Sequence, residues 1–245
     1  MGLFKKLFGK KEATEIPKLE TESTNQKTDI NFTDLLYKNA GLSFEKQIIF
    51  NEITGGSSWN INLNEGKLYF GELSFPIQVI GSLSFNDYSW MWGWANTKSG
   101  IPENLLIKAN ELKSFGGKHQ IEEFTDGHFY VEEGFEHKMG MIAVGLLKAD
   151  AYFCANYGQG TMVIAINSET IPKVEFDQLE KIPTTFPQLI GAIELDHKAS
   201  FISYMESRKL DISSQNNTII ASRNGKKIIA SFDNLSRLKN LQAEL

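Results

Sequence analysis

The stretch SWNINLNEGKLYFGELSFPIQVIGSLSFNDYSWMWGWA, residues 58–95, decides the fold class of this chain. Apolar side chains occupy alternate positions in several short runs, and this period of two is typical of a half-buried β-strand. Turn-forming residues separate the runs, with NEG at 64–66 and FND at 85–87. Residues 58–95 are therefore predicted to form an antiparallel meander of short strands.

Apolar residues three or four positions apart predict helices on both sides of this meander. The predicted helices lie at 33–53 with Gly41 as a break, from Pro102 to a stop at Gly116 and Gly117, at 134–148, near 174–181, at 192–208, and around Leu235, Leu238 and Leu241. Residues 119–131 are expected to be extended, and strands at 150–156 and 161–166 form a hairpin. Asn224-Gly225 predicts a second hairpin, because both residues accept the positive φ of a tight turn. The expected fold class is α+β with a mostly antiparallel sheet, in a single globular domain at 31–245.

The first thirty residues differ in composition from the rest of the chain. Residues 1–11 form a basic amphipathic segment, and residues 12–30 are predicted to be a disordered linker because they carry few large apolar side chains. One interpretation is weak peripheral contact with an anionic membrane, and the other is a solvated chain start. The residues that would contact the membrane are Leu3, Phe4, Lys5, Lys6, Leu7 and Phe8.

Charge and cysteine content limit the classes of function. The net charge of −5 argues against general nucleic-acid binding, which would need a local basic patch, and no nucleic-acid partner is expected. Cys154 is the only cysteine, which rules out an internal disulfide and fits a reducing compartment. No apolar run approaches the roughly 20 residues that span a bilayer. The expected location is the cytoplasm, with the inner membrane face as the site of any peripheral contact.

Three of the four tryptophans lie within five positions of one predicted strand. Alternation places Tyr88, Trp90, Trp92 and Trp94 on the same face of that strand. One interpretation is a sheet face buried in the core. The other is a binding platform that also uses Asn96, because three indole N–H groups are difficult to satisfy in a dry layer.

The pattern Trp90-x-Trp92-x-Trp94-Ala95-Asn96 follows FPIQVIGSLS at 75–84 and precedes a predicted helix. In this it resembles a family of bacterial domains of unknown function, with similarity expected from about Phe32 to the segment 228–233. The resemblance implies a bacterial source and a mixed α+β domain. It implies no activity and transfers no catalytic residue.

A second candidate is the segment HQIEEFTDGHFYVEEGFEH, residues 119–137, which is rich in histidine and acids. These side chains ligate divalent metals or transfer protons, and the residues that would do so are His119, His128, Glu132 and His137. The spacing matches no common ligand motif, and a solvated acidic surface explains the same residues. Cys154 is predicted to be a buried structural thiol.

The leading hypothesis is a non-enzymatic binding module that uses its aromatic-rich strand and needs no cofactor. Its partner would be a protein or a small molecule, and the sequence does not choose between them. The alternative is a metal-dependent hydrolase that uses the segment 119–137.

Overall fold

The computed structural model describes residues 30–245. The predicted amphipathic segment at 1–11 and the predicted linker, apart from its last residue, lie outside the described residues. Between residues 30 and 245 the chain forms one α+β domain with antiparallel sheets, which confirms the predicted fold class. No helix in this part of the chain is both long and apolar enough to cross a membrane.

Six α-helices lie in the described part of the chain. They are α1 (Phe32–Thr54), α2 (Ile107–His119), α3 (Glu122–Thr125), α4 (Phe135–Leu147), α5 (Ile182–Ala192) and α6 (His197–Ser207). The longest, α1, begins with a capping box: the Asn31 side chain accepts from the Asp34 N–H at 2.9 Å, and the Asp34 carboxylate accepts from the Asn31 N–H at 3.1 Å. Gly55, in the left-handed region at φ 58°, ends the helix.

Eleven strands form two sheets in the same part of the chain. They are β1 (Trp59–Asn62), β2 (Lys67–Phe70), β3 (Leu73–Ser84), β4 (Ser89–Trp92), β5 (His128–Tyr130), β6 (Ala151–Asn156), β7 (Gly160–Ile166), β8 (Asp211–Gln215), β9 (Thr218–Arg223), β10 (Lys226–Phe232) and β11 (Leu238–Glu244). The larger sheet runs β1-β2-β3-β4-β5, with β7 paired to β3 and β6 paired to β7. The smaller sheet runs β11-β10-β9-β8. The meander predicted over 58–95 thus forms the first four strands.

The long strand β3 contributes to both hydrophobic cores of the domain. Its first half places Phe75, Ile77 and Val79 in the smaller core. The register against β7 then shifts between Val79 and Gly81, and Leu83 enters the larger core. A bulge adds one residue to a strand and so reverses the faces of the residues that follow it.

Two predictions about glycine are wrong. The helix α1 continues through Gly41, where a side chain would overlap the ring of Tyr204, so close packing explains this glycine. The helix α2 likewise continues past Gly116 and Gly117 to His119, and Gln120 ends it at φ 58°. Residues 119–131, predicted to be extended, contain the short helix α3 as well as β5.

The predicted elements after residue 170 also need correction. Instead of a helix near 174–181 there is a single 3₁₀ turn at Leu179–Lys181, and α5 follows it with Pro183 in its first turn. A proline there costs little, because the first N–H groups of a helix have no partner within it. The helix predicted at 192–208 begins only at His197. The predicted terminal helix is the strand β11, which pairs with β10.

A buried ion pair connects α1 with the C-terminal part of the chain. Glu45 on α1 and Arg208, just after α6, are both buried, and their side chains lie 2.7 Å apart. The Tyr204 hydroxyl donates to the second Glu45 oxygen at 2.7 Å, and Arg208 also donates to the Gln178 carbonyl at 2.8 Å. Burial, followed by the Glu45 charge, raises the pKa of Tyr204 well above its ordinary value. The phenol therefore stays neutral and acts as a donor.

Removal of one partner from this pair should be costly. We expect Arg208→Met to lower the free energy of unfolding by about 3–5 kcal/mol, because it leaves the Glu45 carboxylate buried without its counter-charge. Urea unfolding measures the change. Lys108→Met is the matched control: it removes a cation from the exposed Lys108–Glu111 pair, and the cost should stay below about 1 kcal/mol. Equal losses in the two variants would contradict the assignment.

Candidate functional site

The structure places two of the clustered tryptophans in the core. Trp90 and Trp92 on β4 are both 0% exposed, and their rings meet edge to face with centroids 5.7 Å apart. The Trp92 indole N–H donates to the Glu123 carbonyl at 2.8 Å. Trp92 packs on Phe124 of α3 and Trp90 packs on Phe135 of α4, so neither ring offers a surface to a ligand.

The other residues of the predicted aromatic face lie outside β4. Tyr88 precedes the strand at φ 50°, and Trp94 and Asn96 belong to the turn that follows it. The half-buried Trp94 ring stacks on Trp92 with centroids 6.2 Å apart, and the Lys113 ammonium lies 3.8 Å from the ring centroid. Trp92 and Lys113 thus each cover part of the Trp94 ring, and the part that stays exposed borders a separate cavity lined by residues of α2.

The histidines and acids of 119–137 are distributed over several elements. His119 packs on Phe115 at the end of α2 with ring centroids 4.3 Å apart, while His128 on β5 and Glu132 before α4 are exposed. His137 lies on α4. In the part of the chain from residue 30 onward, no group of three or more His, Cys, Asp or Glu side chains is arranged to hold a metal ion.

His137 instead borders a cleft between α1, α4 and β6, which we call the Trp59 cleft. Its volume is about 450 Å³, within the range typical of small-molecule sites. Trp59 on β1, 38% exposed, lies at its edge. Its polar side chains come from α1, α4, β6 and the loop after α1, and they are Gln47, Asn51, Thr54, Ser57, His137, Tyr152 and Cys154.

One face of α1 supplies a wall of the Trp59 cleft. Gln47, Asn51 and Thr54 are four and three positions apart, so they lie along the same side of the helix. The Gln47 side-chain oxygen accepts from the Tyr152 backbone N–H at 2.9 Å. This bond fixes the orientation of the Gln47 amide and holds α1 against β6.

Aromatic rings supply a second wall. Trp59 meets Phe153 edge to face with centroids 5.4 Å apart, and Phe153 meets Phe70 in the same way at 5.1 Å. Phe70 in turn contacts Phe50 of α1 at 5.7 Å. This chain of edge-to-face contacts favours a fixed position for each ring.

The polar end of the cleft contains His137, Tyr152 and Cys154. The His137 Nδ1 lies 3.2 Å from the Tyr152 hydroxyl and 3.8 Å from the Cys154 sulfur. Burial, and next the Glu136 carboxylate, raises the pKa of Cys154. Burial, with Cys154 and Glu136, raises the pKa of Tyr152. Both groups therefore stay protonated near neutral pH, and Cys154 lacks the lowered pKa of an activated nucleophile.

Most of the residues that line this cleft cannot be predicted from the sequence. The sequence pattern points to the cluster of three tryptophans as the candidate site. The tryptophan that borders the cleft is instead the fourth one, Trp59. A usable signal is the spacing of Gln47, Asn51 and Thr54, which places three polar side chains along one side of α1. No local pattern connects that stripe with His137 or Tyr152.

The sequence profile of one family matches residues 33–169, more than half of the chain. The chain belongs to the family of unknown function DUF6882. The matched segment includes the tryptophan cluster and all the residues that line the Trp59 cleft, and it ends before α5. No curated protein and no solved structure matches the chain significantly.

The two environments of the clustered tryptophans can be compared by truncation. We expect Trp92→Ala to lower the free energy of unfolding by about 3–5 kcal/mol, because it removes a fully buried aromatic side chain. Trp94→Ala should cost clearly less, since Trp94 is only half-buried. Urea unfolding of both variants measures the difference, and equal costs would show that the Trp94 ring is as important to the core as Trp92.

The raised pKa of Cys154 should slow its alkylation. A raised pKa reduces the thiolate fraction, so at about pH 8 the folded protein should react with iodoacetamide on the order of ten-fold more slowly than the urea-unfolded chain. Because Cys154 is the only cysteine, the labelling rate reports on it alone. Glu136→Gln should increase the rate in the folded protein, since it removes the nearby negative charge. A folded thiol that reacts as fast as the unfolded one would contradict this environment.

Proposed function

We propose that this DUF6882 protein is a non-enzymatic binding module that holds a small molecule in the Trp59 cleft. The observation that carries the proposal is the convergence of oriented polar groups and a wall of aromatic rings on one concave site. Ligand sites in proteins commonly combine an apolar lining with a few polar groups that fix the ligand's orientation.

The shape of the site favours a small molecule over a protein partner. The cleft is concave, and its aromatic residues line the wall of a cavity of about 450 Å³. Of the three clustered tryptophans, Trp90 and Trp92 are buried, so they form no flat platform for a protein together with the half-buried Trp94.

The chemistry of the site favours binding over catalysis. The thiol beside His137 has a raised pKa, which is the opposite of what a nucleophile needs. The metal-dependent alternative gains no support from the geometry, because the histidines of 119–137 are distributed over separate elements. The cleft lies within the segment that the family shares, so we propose the same kind of site for other members.

We also propose a cytoplasmic location, on the basis of the single cysteine, which excludes an internal disulfide. Peripheral membrane contact through residues 1–11 stays a prediction from the sequence.

Ligand-observed saturation-transfer NMR with a mixed panel tests the proposal. The panel contains glucose, adenosine, benzamide, choline and acetate. We expect at least one compound to receive saturation from the wild-type protein and to lose it with Trp59→Ala. The matched control is Tyr130→Ala, which removes an exposed aromatic ring on β5, away from the cleft, and should leave the signal intact.

Two results would contradict the proposed function. One is a panel without any binder, and the other is a signal that Trp59→Ala leaves unchanged. Chemical conversion of a panel compound during the measurement would instead support an enzyme.

A further inference from the structure

The hydrogen bonds around the Trp59 cleft determine which polar groups are left to contact a ligand. The Gln47 side-chain oxygen accepts from the Tyr152 backbone N–H at 2.9 Å. Because a backbone N–H can only donate, this bond distinguishes the oxygen of the Gln47 amide from its nitrogen. The Gln47 Nε2 group has no hydrogen-bond partner among the described residues, so it is left as a donor on the α1 wall of the cleft.

Tyr152 also orients a second donor, which is His137. The His137 Nδ1 lies 3.2 Å from the Tyr152 hydroxyl and 3.8 Å from the Cys154 sulfur, and the described residues offer these two groups no other side-chain acceptor. Burial raises the pKa of both groups, so each keeps a proton to donate. The His137 Nδ1 is therefore the acceptor, and the neutral imidazole carries its own proton at Nε2, where it can donate to a ligand.

The third donor is the indole N–H of Trp59, at the edge of the cleft. It has no hydrogen-bond partner among the described residues, and an indole nitrogen cannot accept. Trp59 is 38% exposed, so part of its ring is available to the apolar part of a ligand. The groups of Gln47, His137 and Trp59 that are left over thus all donate, and a ligand that pairs with them must supply lone pairs.

The charges around the cleft favour a neutral ligand. Among the described residues, those that line it include no lysine, arginine, aspartate or glutamate. The lining includes the last turn of α1, through Thr54, and that turn has no basic residue to offset the partial negative charge at the helix end. An anion therefore meets this partial charge without a counter-charge, and a cation finds no carboxylate in the lining.

We propose that the Trp59 cleft selects a neutral acyl compound, an amide or an ester, whose carbonyl oxygen accepts from the Gln47 Nε2 group while its apolar part lies against Trp59. This inference rests on the proposed function and specifies the chemical class of its ligand. A carbonyl oxygen has two lone pairs and no proton, which matches a site whose oriented groups donate. A ligand without an acceptor would cover the Gln47 donor and leave it unpaired, and that loss reduces its affinity.

Three probes that share one phenyl ring test the inference near pH 7. They are N,N-dimethylbenzamide, which is neutral and only accepts, benzoate, which is an anion, and benzylamine, which is a cation at that pH. The tryptophan indole N–H signals in ¹⁵N–¹H spectra report binding, and Trp59→Phe identifies the Trp59 signal. We expect N,N-dimethylbenzamide to shift this signal in a saturable manner and to bind about ten-fold more tightly than either charged probe.

Two substitutions locate the acceptor preference. Gln47→Glu keeps the oxygen that accepts from the Tyr152 N–H and replaces the donor nitrogen by a second oxygen. It should weaken N,N-dimethylbenzamide about five-fold or more without weakening benzylamine. His137→Phe keeps a ring but removes the Nε2 donor, and provides an independent test with the same expected direction.

The matched control is Gln188→Glu. It makes the same change at an exposed glutamine of α5, outside the lining of the cleft, and should have no effect on any probe. Circular dichroism of each variant verifies that it is folded.

The outcomes separate this inference from the proposed function. Trp59-dependent binding of either charged probe that equals the binding of N,N-dimethylbenzamide would overturn the neutral acyl class and leave the binding module intact. An affinity that Gln47→Glu leaves unchanged, or that Gln188→Glu lowers equally, would overturn the donor role of Gln47. Failure of N,N-dimethylbenzamide to bind overturns the inference by itself, and the proposed function then depends on its own panel of compounds.

Discussion

The ion pair between Glu45 and Arg208 is the constraint on which the arrangement of the helices depends. Two charges buried together are tolerated only when nearly all their hydrogen-bonding capacity is used. Glu45 therefore needs both the Arg208 guanidinium and the Tyr204 hydroxyl, and Arg208 also needs the backbone carbonyls at 176 and 178. These requirements fix the rotation of α1 about its axis. Gly41, one turn earlier, permits the close approach of Tyr204 that the arrangement demands.

The fixed rotation of α1 determines what its other faces can do. The Ser43 hydroxyl donates to the Met141 carbonyl at 2.8 Å, which positions α4. Gln47 then faces β6, and its bond to the Tyr152 backbone sets one wall of the Trp59 cleft. One helix thus connects the C-terminal helices, α4 and the cleft. Because Arg208 lies beyond residue 169, the matched family segment depends here on a partner from outside it.

The sequence predicts local structure well where the residues of a short segment determine its conformation by themselves. The hairpin at Asn224-Gly225 forms as predicted, because both residues adopt positive φ, at 52° and 82°. The prediction fails where a distant partner decides the structure. Leu238 and Leu241 have helical spacing, yet pairing with β10 makes their segment a strand. The cleft escapes prediction for the same reason, since Gln47 and Tyr152 are 105 positions apart and only the fold brings them together.

The position of a tryptophan in the sheet determines whether its ring is buried in the core or borders the cleft. Trp90 and Trp92 lie on β4, an inner strand of the sheet that pairs with β3 on one side and β5 on the other, and both side chains are fully buried in the core. Trp59 lies on β1, at the end of the sheet, where only β2 pairs with it. An edge strand leaves part of such a ring in contact with solvent, and that part is what a ligand can cover.

The buried ion pair and the cleft also use different faces of α1. Substitutions on the cleft face can therefore change binding while the Glu45–Arg208 contact continues to hold the domain together.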